Sequence, residues 1–212
     1  MGGLLQVYAY IISHADQFFL ALQQHLLLVI VPLGIGLGVG LPLGLLSARS
    51  RLASLLVINS FNALRVIPSL AVLFVTIPYL GLSFQAAVIA LTLLVMPPIL
   101  ISTDIAFRSI AAETIEAALA MGMSQQQVLW QVEVPLALPP ILAGVKTATV
   151  EVIASATLAA FIGAGGLGSF IVLGFALYDP AILLVGAIPV AILALLAEVS
   201  LSLVQRGVTP RH

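Results

Sequence analysis

The ionisable residues that interrupt long apolar runs are the first candidates for chemistry in this sequence. Glu151 lies 12 residues past Pro139, about 18 Å along a helix that rises 1.5 Å per residue, which places it near the middle of a bilayer. A charge at that depth costs about 2.5–3.5 kcal/mol, so a function is expected there. Arg65 precedes the Pro68-Ser69 step of another run, where a break frees backbone groups and favours a cavity lining. We predict that Arg65, Ser69 and Glu151 line a path through the bundle; an internal ion pair is the alternative for Arg65 and Glu151.

The other charges near the apolar runs have simpler interpretations. Lys146 and Glu198 lie close enough to the ends of their runs to extend their charged groups to the interface. Asp104 and Arg108 are four residues apart at the end of a run, which predicts a solvated helix-end pair. Glu133 is expected on the solvated side of a helix.

The glycine-rich stretch at residues 163–168 matches the G-x-G-x-x-G pattern of dinucleotide-binding sites. Such a site requires a preceding strand and an acid about 20 residues further on, but an apolar run precedes this stretch and Asp179 follows too closely. The glycines instead predict a turn at the outer mouth of the bundle that lets a second subunit approach closely. They are Gly163, Gly165, Gly166 and Gly168.

No residue pattern predicts a cofactor or metal site on this chain. Residues 144–147 lack the Gly-Lys step of an ATP-binding phosphate loop. Cysteine is absent, and the three histidines are too scattered for a metal site. Any ATP hydrolysis therefore requires another polypeptide.

The amino-acid composition indicates the class of protein in which these residues lie. Of the 212 residues, 62% are hydrophobic and 7% are charged, with a net charge of −1. A soluble domain is about 45–50% apolar and about 25% charged. The composition therefore excludes an ordinary soluble enzyme, a disordered chain and an electrostatic nucleic-acid binder, and it predicts an integral membrane protein.

Long, continuously apolar runs recur along the chain and predict an all-α polytopic bundle of about five transmembrane helices. Alternating strands are not expected, because the runs do not alternate. Residues 4–25 are predicted to form a partly amphipathic lead-in helix, or a sixth span if they insert. The five runs cover residues 26–46, 53–80 with a break near the Ile-Pro-Ser step, 84–103, 138–161 and 181–204.

The distribution of arginines predicts the orientation. Loops on one side carry Arg49, Arg51, Arg108, Arg206 and Arg211, whereas the loops at 81–85 and 163–180 carry no basic residue. The positive-inside rule then places the C-terminus and residues 104–136 in the cytoplasm and the N-terminus outside. The N-terminus lacks a basic region and a cleavage site, so no cleaved signal peptide is expected.

Residues 104–136, here called the polar segment, are the main polar stretch of the chain. Gly122 interrupts a first helix, and Ser124 with Gln127 forms a capping-box pattern that begins a second helix. Pro135 is expected to end that second helix. Its apolar side carries Val128, Leu129 and Val132. This pattern is compatible with docking into a groove on a partner and with a connector lying on lipid headgroups.

The polar segment resembles the EAA signature of ABC importer permeases. The matching residues are Glu116, Ala117, Ala118, Gly122, Val132, Val134 and Pro135, with Val132 and Val134 where Ile and Leu are usual. In that family the segment forms coupling helices that sit in a cleft of the ATPase. The resemblance therefore implies coupling roles for the EAA triplet, Gly122, Val128, Leu129, Val132 and Pro135.

The resemblance extends over nearly the whole chain and implies a single permease domain, residues 1–212. It also implies a bacterial cell membrane, an ATPase dimer that binds ATP and magnesium, a second permease copy or paralogue, and an extracellular solute-binding protein. The chain ends soon after the last run, so a binding domain is not expected to be fused to it.

Within the superfamily, three stretches resemble the permeases of osmoprotectant importers for glycine betaine, choline or carnitine. They are residues 40–44, 66–81 and 143–171, although Arg65-Val66 stand where that family more often has Gln-Thr. A methionine-type amino-acid permease shares the scaffold and is the first alternative. A passive channel or membrane scaffold is the second.

Overall fold

The structure is a computed structural model that describes residues 2–208, apart from the side chains of residues 2–4 and Arg65. The predicted role of the Arg65 side chain therefore lies outside the described residues. The regular elements in the described range are all helical. They are α1 (Gly2–Ser13), α2 (Ala15–Ala48), α3 (Arg51–Val66), α4 (Ser69–Leu80), α5 (Phe84–Arg108), α6 (Ala112–Ala120), α7 (Gln125–Val128), a π-helix (Leu129–Glu133), α8 (Val134–Ser155), a 3-10 helix (Ala156–Ile162), α9 (Gly168–Leu177) and α10 (Pro180–Val208).

The number of candidate spans agrees with the sequence prediction. Within residues 2–208, four helical stretches are long and apolar enough to cross a membrane, and the bent pair α3–α4 makes a fifth if it counts as one span. The α7, π and α8 helices join the 3-10 helix in one stretch, Gln125–Ile162. The all-α bundle of about five spans is confirmed.

The bend between α3 and α4 lies where the sequence predicts a break. The two helices meet at 90°. Ile67 is extended, with φ −73° and ψ 124°, because a residue before proline is pushed out of the helical region. Pro68 then leads into α4 with ψ 134°. The steric effect of Pro68 on Ile67 therefore explains why the helix breaks between α3 and α4.

Helix α5 is the centre of the bundle and packs against α2, α8, α4 and α3. Along α2, Gly36, Gly40 and Gly44 are buried and form a ridge that faces α5, here called the glycine ridge. A Cβ atom on Gly36 would lie 2.6 Å from Val95 Cγ2, and one on Gly44 would lie 2.6 Å from Thr103 Cβ. Small residues at this spacing let helices approach closely in lipid. The ridge therefore serves packing within the chain.

The predicted lead-in helix of residues 4–25 divides into α1 and the first turns of α2. Helix α1 has 12 residues, fewer than the roughly 20 that a span requires. It packs against α10, and Val7 belongs to an apolar cluster with Phe170, Ile182 and Val185. The described residues therefore do not support a sixth span.

The polar segment folds partly as predicted. Gly122 has φ +89° and separates α6 from α7. The Ser124–Gln127 capping box is present, with Ser124 N–H donating to Gln127 Oε1 at 2.8 Å. The prediction that Pro135 ends the second helix is wrong, because the π-helix leads directly into α8. Pro135 lies in the first turn of α8, where a missing N–H is tolerated.

Candidate coupling segment and membrane cavity

The predicted coupling residues lie around the turn between α6 and α7, but they do not share one exposed face. Ala118 and Val128 are buried, and Leu129 and Val132 are partly buried. The apolar side predicted from Val128, Leu129 and Val132 is therefore not a fully exposed docking face. Val128 turns inward, and Leu129 and Val132 stay only partly exposed. The exposed members are Glu116, Ala117, Gly122 and Pro135.

Other apolar side chains form the exposed surface of this region. Met121 is 77% exposed and Trp130 is 68% exposed. Gly122 lies beside Met121, and a Cβ atom placed on it would have no neighbour within 4 Å. The turn therefore presents open space beside Met121, and the π-helix that follows α7 exposes Trp130.

A cavity of about 440 Å³ lies under this turn and is here called the Arg49 cavity. Apolar side chains of α6, α7 and the π-helix form one wall, and Arg49, Glu133 and two glutamines add polar groups. Its lining residues are Arg49, Ile115, Leu119, Gln125, Gln126, Val128, Leu129 and Glu133.

The prediction that Glu133 faces solvent is wrong. Glu133 is only 4% exposed. Its carboxylate accepts two hydrogen bonds from the Arg49 guanidinium, one of them from Nη1 to Oε1 at 3.1 Å. A buried carboxylate requires such a partner, because removal from water is costly. No sequence pattern links two residues that are 84 positions apart.

The predicted pair of Asp104 and Arg108 is present, but the prediction that it is solvated is wrong. Asp104 is fully buried. Its Oδ1 accepts from Ser47 Oγ at 2.6 Å, its Oδ2 accepts from Ser54 Oγ at 2.9 Å, and Arg108 Nε is 4.0 Å away. The carboxylate therefore joins the ends of α2, α3 and α5.

Lys146 and Glu198 form an ion pair between α8 and α10, a contact that the sequence did not predict. Lys146 Nζ lies 3.0 Å from Glu198 Oε1 and donates to Ser202 Oγ at 3.3 Å. Pairing lowers the cost of two charges near lipid. The partner of each is not evident from the sequence, since the two residues lie in different spans.

Ser69 and Glu151 line one cavity of about 190 Å³ beside the α3–α4 bend, here called the broken-helix cavity. Glu151 is partly buried, and none of the described residues forms an ion pair or a hydrogen bond with it. The structure thus brings together two of the three predicted path residues. The remaining lining residues are Leu64, Val66, Ile67, Pro68, Leu93, Leu94, Pro97 and Ser155.

The glycine-rich stretch at 163–168 forms a turn, as predicted. Gly163, Gly165 and Gly166 have positive φ angles of 70°, 78° and 83°. Gly166 N–H donates to Gln24 Oε1 at 3.0 Å, and a Cβ atom on Gly165 would lie 2.2 Å from the same oxygen. In the described part of the chain, the close approach at Gly165 is to α2 of the same subunit.

The last glycine of that stretch has a packing role within the chain. Gly168 is buried, and a Cβ atom on it would lie 2.0 Å from the Thr157 carbonyl oxygen. The 3-10 helix and α9 therefore meet backbone to backbone.

Comparison with known proteins decides what this bundle is. The family model for the inner-membrane component of binding-protein-dependent transport systems matches residues 40–211. The chain belongs to this family of ABC importer permeases. The permease is therefore an inner-membrane, multi-pass component of an ABC transport system, and the ATPase of such a system is a separate subunit.

Relatives and one solved structure cover nearly the whole permease. It is 42% identical over 188 residues to the carnitine transport permease protein OpuCB of Listeria monocytogenes, covering 89% of this chain and 86% of that one. It is 34% identical to the glycine betaine/carnitine/choline permease protein OpuCB of Bacillus subtilis, covering 97% and 95% of the two chains. Its fold matches a chain of the inward-facing MetNI methionine ABC transporter with a TM-score of 0.79 at 24% identity, covering 93% and 99%.

The family confirms the resemblance that the EAA-like spacing indicated. It assigns the permease to a system that works with a binding protein and an ATPase. The structure adds the Arg49–Glu133 and Asp104 contacts, which sequence reasoning missed. The only feature of the sequence that pointed to these contacts is the rarity of charged residues, which make up 7% of the chain.

Proposed function

We propose that the permease is the membrane subunit of an osmoprotectant importer that carries glycine betaine, choline or carnitine. The observation that supports this most is the 42% identity to a carnitine permease over 89% of the chain. The similarity to the methionine transporter is 24% in sequence and concerns the fold. The osmoprotectant class is therefore favoured over the methionine-type alternative.

The broken-helix cavity is proposed as part of the solute path. The three candidate solutes share a quaternary ammonium group, and a carboxylate attracts such a group strongly where water is scarce. Glu151 supplies this carboxylate, and Ser69 supplies a hydroxyl at the break of α3–α4. Arg65 precedes the same break in sequence and remains a predicted lining residue.

The turn between α6 and α7 is proposed as the contact with an ATPase dimer. Its support is the match of Glu116, Ala117, Ala118 and Gly122 to the EAA spacing, together with the open space over Gly122. Met121 and Trp130 are exposed and belong to the residue types that are enriched at interfaces. This assignment places the polar segment and the C-terminus in the cytoplasm, and the N-terminus and the turn at 163–168 outside.

A second permease, either another copy or a paralogue, is proposed to complete the path. The bend of α3–α4 borders the broken-helix cavity, and apolar side chains at the bend are exposed, including Val66 at 82% and Ile67 at 45%. Exposed apolar side chains at the bend itself, such as Val66 and Ile67, face lipid or a partner helix. A partner placed there would enclose the cavity from the open side.

The substrate class is tested by competition. The permease is purified with its ATPase and binding protein, placed in proteoliposomes, and supplied with labelled choline. Excess unlabelled glycine betaine, carnitine or methionine is then added in parallel samples. We expect inhibition by at least one of the two osmoprotectants and none by methionine; inhibition by methionine alone would contradict the proposed substrate class.

A further inference from the structure

The Arg49–Glu133 ion pair joins the polar segment to the end of α2. Arg49 is the residue at which α2 ends, and Glu133 is the last residue of the π-helix. The guanidinium donates to both carboxylate oxygens, a two-point geometry that fixes orientation as well as distance. The Glu133 side chain is buried, while that of Arg49 is half exposed at the edge of the Arg49 cavity.

The π-helix explains how Glu133 reaches α2. The widened turn of a π-helix changes the direction in which its side chains leave the axis, and such turns occur frequently at functional sites. This π-helix is continuous with α7 before it and with α8 after it. A displacement of α7 therefore moves Glu133 along with the base of α8.

A second polar contact continues from the same end of α2 to α5. Ser47, two residues before Arg49, donates to the buried Asp104 carboxylate at 2.6 Å, and Ser54 of α3 donates to its other oxygen. Earlier along α2, the glycine ridge keeps this helix close to α5 over several turns. The end of α2 is thus fixed to α5 through Asp104 and to the π-helix through Glu133.

We propose that the Arg49–Glu133 ion pair is a positioning contact that transmits movement of the polar segment to the end of α2, and thereby couples ATP hydrolysis to transport. Without it, the segment would still move α5 and α8, which adjoin its two ends in the chain, but α2 would lose its direct contact with the π-helix. This inference rests on the proposed function, since it needs an ATPase that acts on the polar segment.

The test measures how many solute molecules are imported per ATP hydrolysed, in proteoliposomes that hold the complete complex. Glu133→Gln keeps the shape of the side chain and removes its charge. We expect an assembled complex that hydrolyses ATP while this ratio falls about tenfold, within the range of typical coupling energies between sites. Exchanging the charges, Arg49→Glu with Glu133→Arg, should bring the ratio back to within about threefold of wild type.

Glu198→Gln is the matched control, because it removes the Lys146–Glu198 ion pair, which does not involve the polar segment. Its ratio should stay at the wild-type value. A wild-type ratio in Glu133→Gln, an equal fall in Glu198→Gln, or an assembled charge exchange that stays uncoupled would each overturn the inference.

One further variant covers the case in which Glu133→Gln does not assemble. Arg49→Lys keeps the positive charge and loses the two-point geometry, and it should lower the ratio; an unchanged ratio would overturn the inference. Failure of the proposed function gives a different result, because the wild-type complex itself would then show no ATP-dependent uptake.

Discussion

At the scale of single residues, Glu151 is the charge that the fold explains least. It faces the broken-helix cavity, and it has no ion-pair partner among the residues whose side chains are described. At about 4 Å and an effective dielectric constant of about 20, a carboxylate attracts a cation by roughly 4 kcal/mol before desolvation is subtracted. Such an attraction is large enough to act on a passing quaternary ammonium group.

We therefore predict that Glu151→Gln lowers the maximal uptake rate at saturating binding protein by about tenfold, equivalent to about 1.4 kcal/mol. Choline carries a net positive charge and glycine betaine is a zwitterion, so choline uptake should fall more. Uptake of both solutes and the thermal unfolding midpoint are measured in the same preparations. A large loss of stability would instead indicate an internal ion pair, and unchanged uptake with unchanged stability would refute both roles.

Gly122 gives a second prediction at this scale. A side chain there meets open space but must adopt φ +89°, a conformation that costs a non-glycine residue about 1–3 kcal/mol. Gly122→Leu should leave the bundle folded and reduce ATP-dependent uptake, because the new side chain projects into the proposed ATPase contact.

The matched control for that substitution is Gly81→Leu, at the end of α4. Gly81 also has a positive φ, 68°, and a Cβ atom on it would have no neighbour within 4 Å, so the substitution strains the backbone without touching the polar segment. We expect uptake to be retained in Gly81→Leu. Equal loss of uptake in the two variants would attribute the effect of Gly122→Leu to backbone strain.

At the scale of elements, two glycines of α2 can be compared: Gly44, which belongs to the glycine ridge, and Gly38, which does not. A Cβ atom on Gly44 would lie 2.6 Å from Thr103 Cβ and 2.9 Å from the Leu100 carbonyl oxygen, whereas one on Gly38 would have no neighbour within 4 Å. Overpacking of this kind typically costs about 1–3 kcal/mol. Gly44→Ala should therefore lower the thermal unfolding midpoint in detergent, and Gly38→Ala should not lower it. Equal midpoints would show that α2 and α5 do not pack this closely.

The sequence predicts the helices well because lipid imposes a simple requirement on them. Each span needs a long apolar run, and the Ile-Pro step predicts the bend between α3 and α4. The buried ion pairs could not be predicted, because Glu133 and Asp104 find partners that are far away in the chain. The burial of Val128 was missed for a related reason: an apolar helix face indicates a contact but does not say whether the contact lies within the chain or on another one.

At the scale of the whole molecule, orientation in the membrane can be tested directly because the chain contains no cysteine. Ser169 is exposed at the start of α9, and Ala112 is exposed at the start of α6. In intact cells, Ser169→Cys should react with an impermeant thiol reagent, and Ala112→Cys should react only after permeabilisation. The opposite labelling pattern would contradict the proposed orientation.

The central claim is that the bundle moves solute at the expense of ATP hydrolysed by a separate subunit. The most direct measurement places the permease, its ATPase and a trapped nucleotide in proteoliposomes, with binding protein and labelled choline or glycine betaine outside. With ATP inside, the solute should accumulate above its external concentration, and with a non-hydrolysable analogue it should not. Equilibration at the same rate with either nucleotide, without accumulation, would show a passive path and contradict the claim.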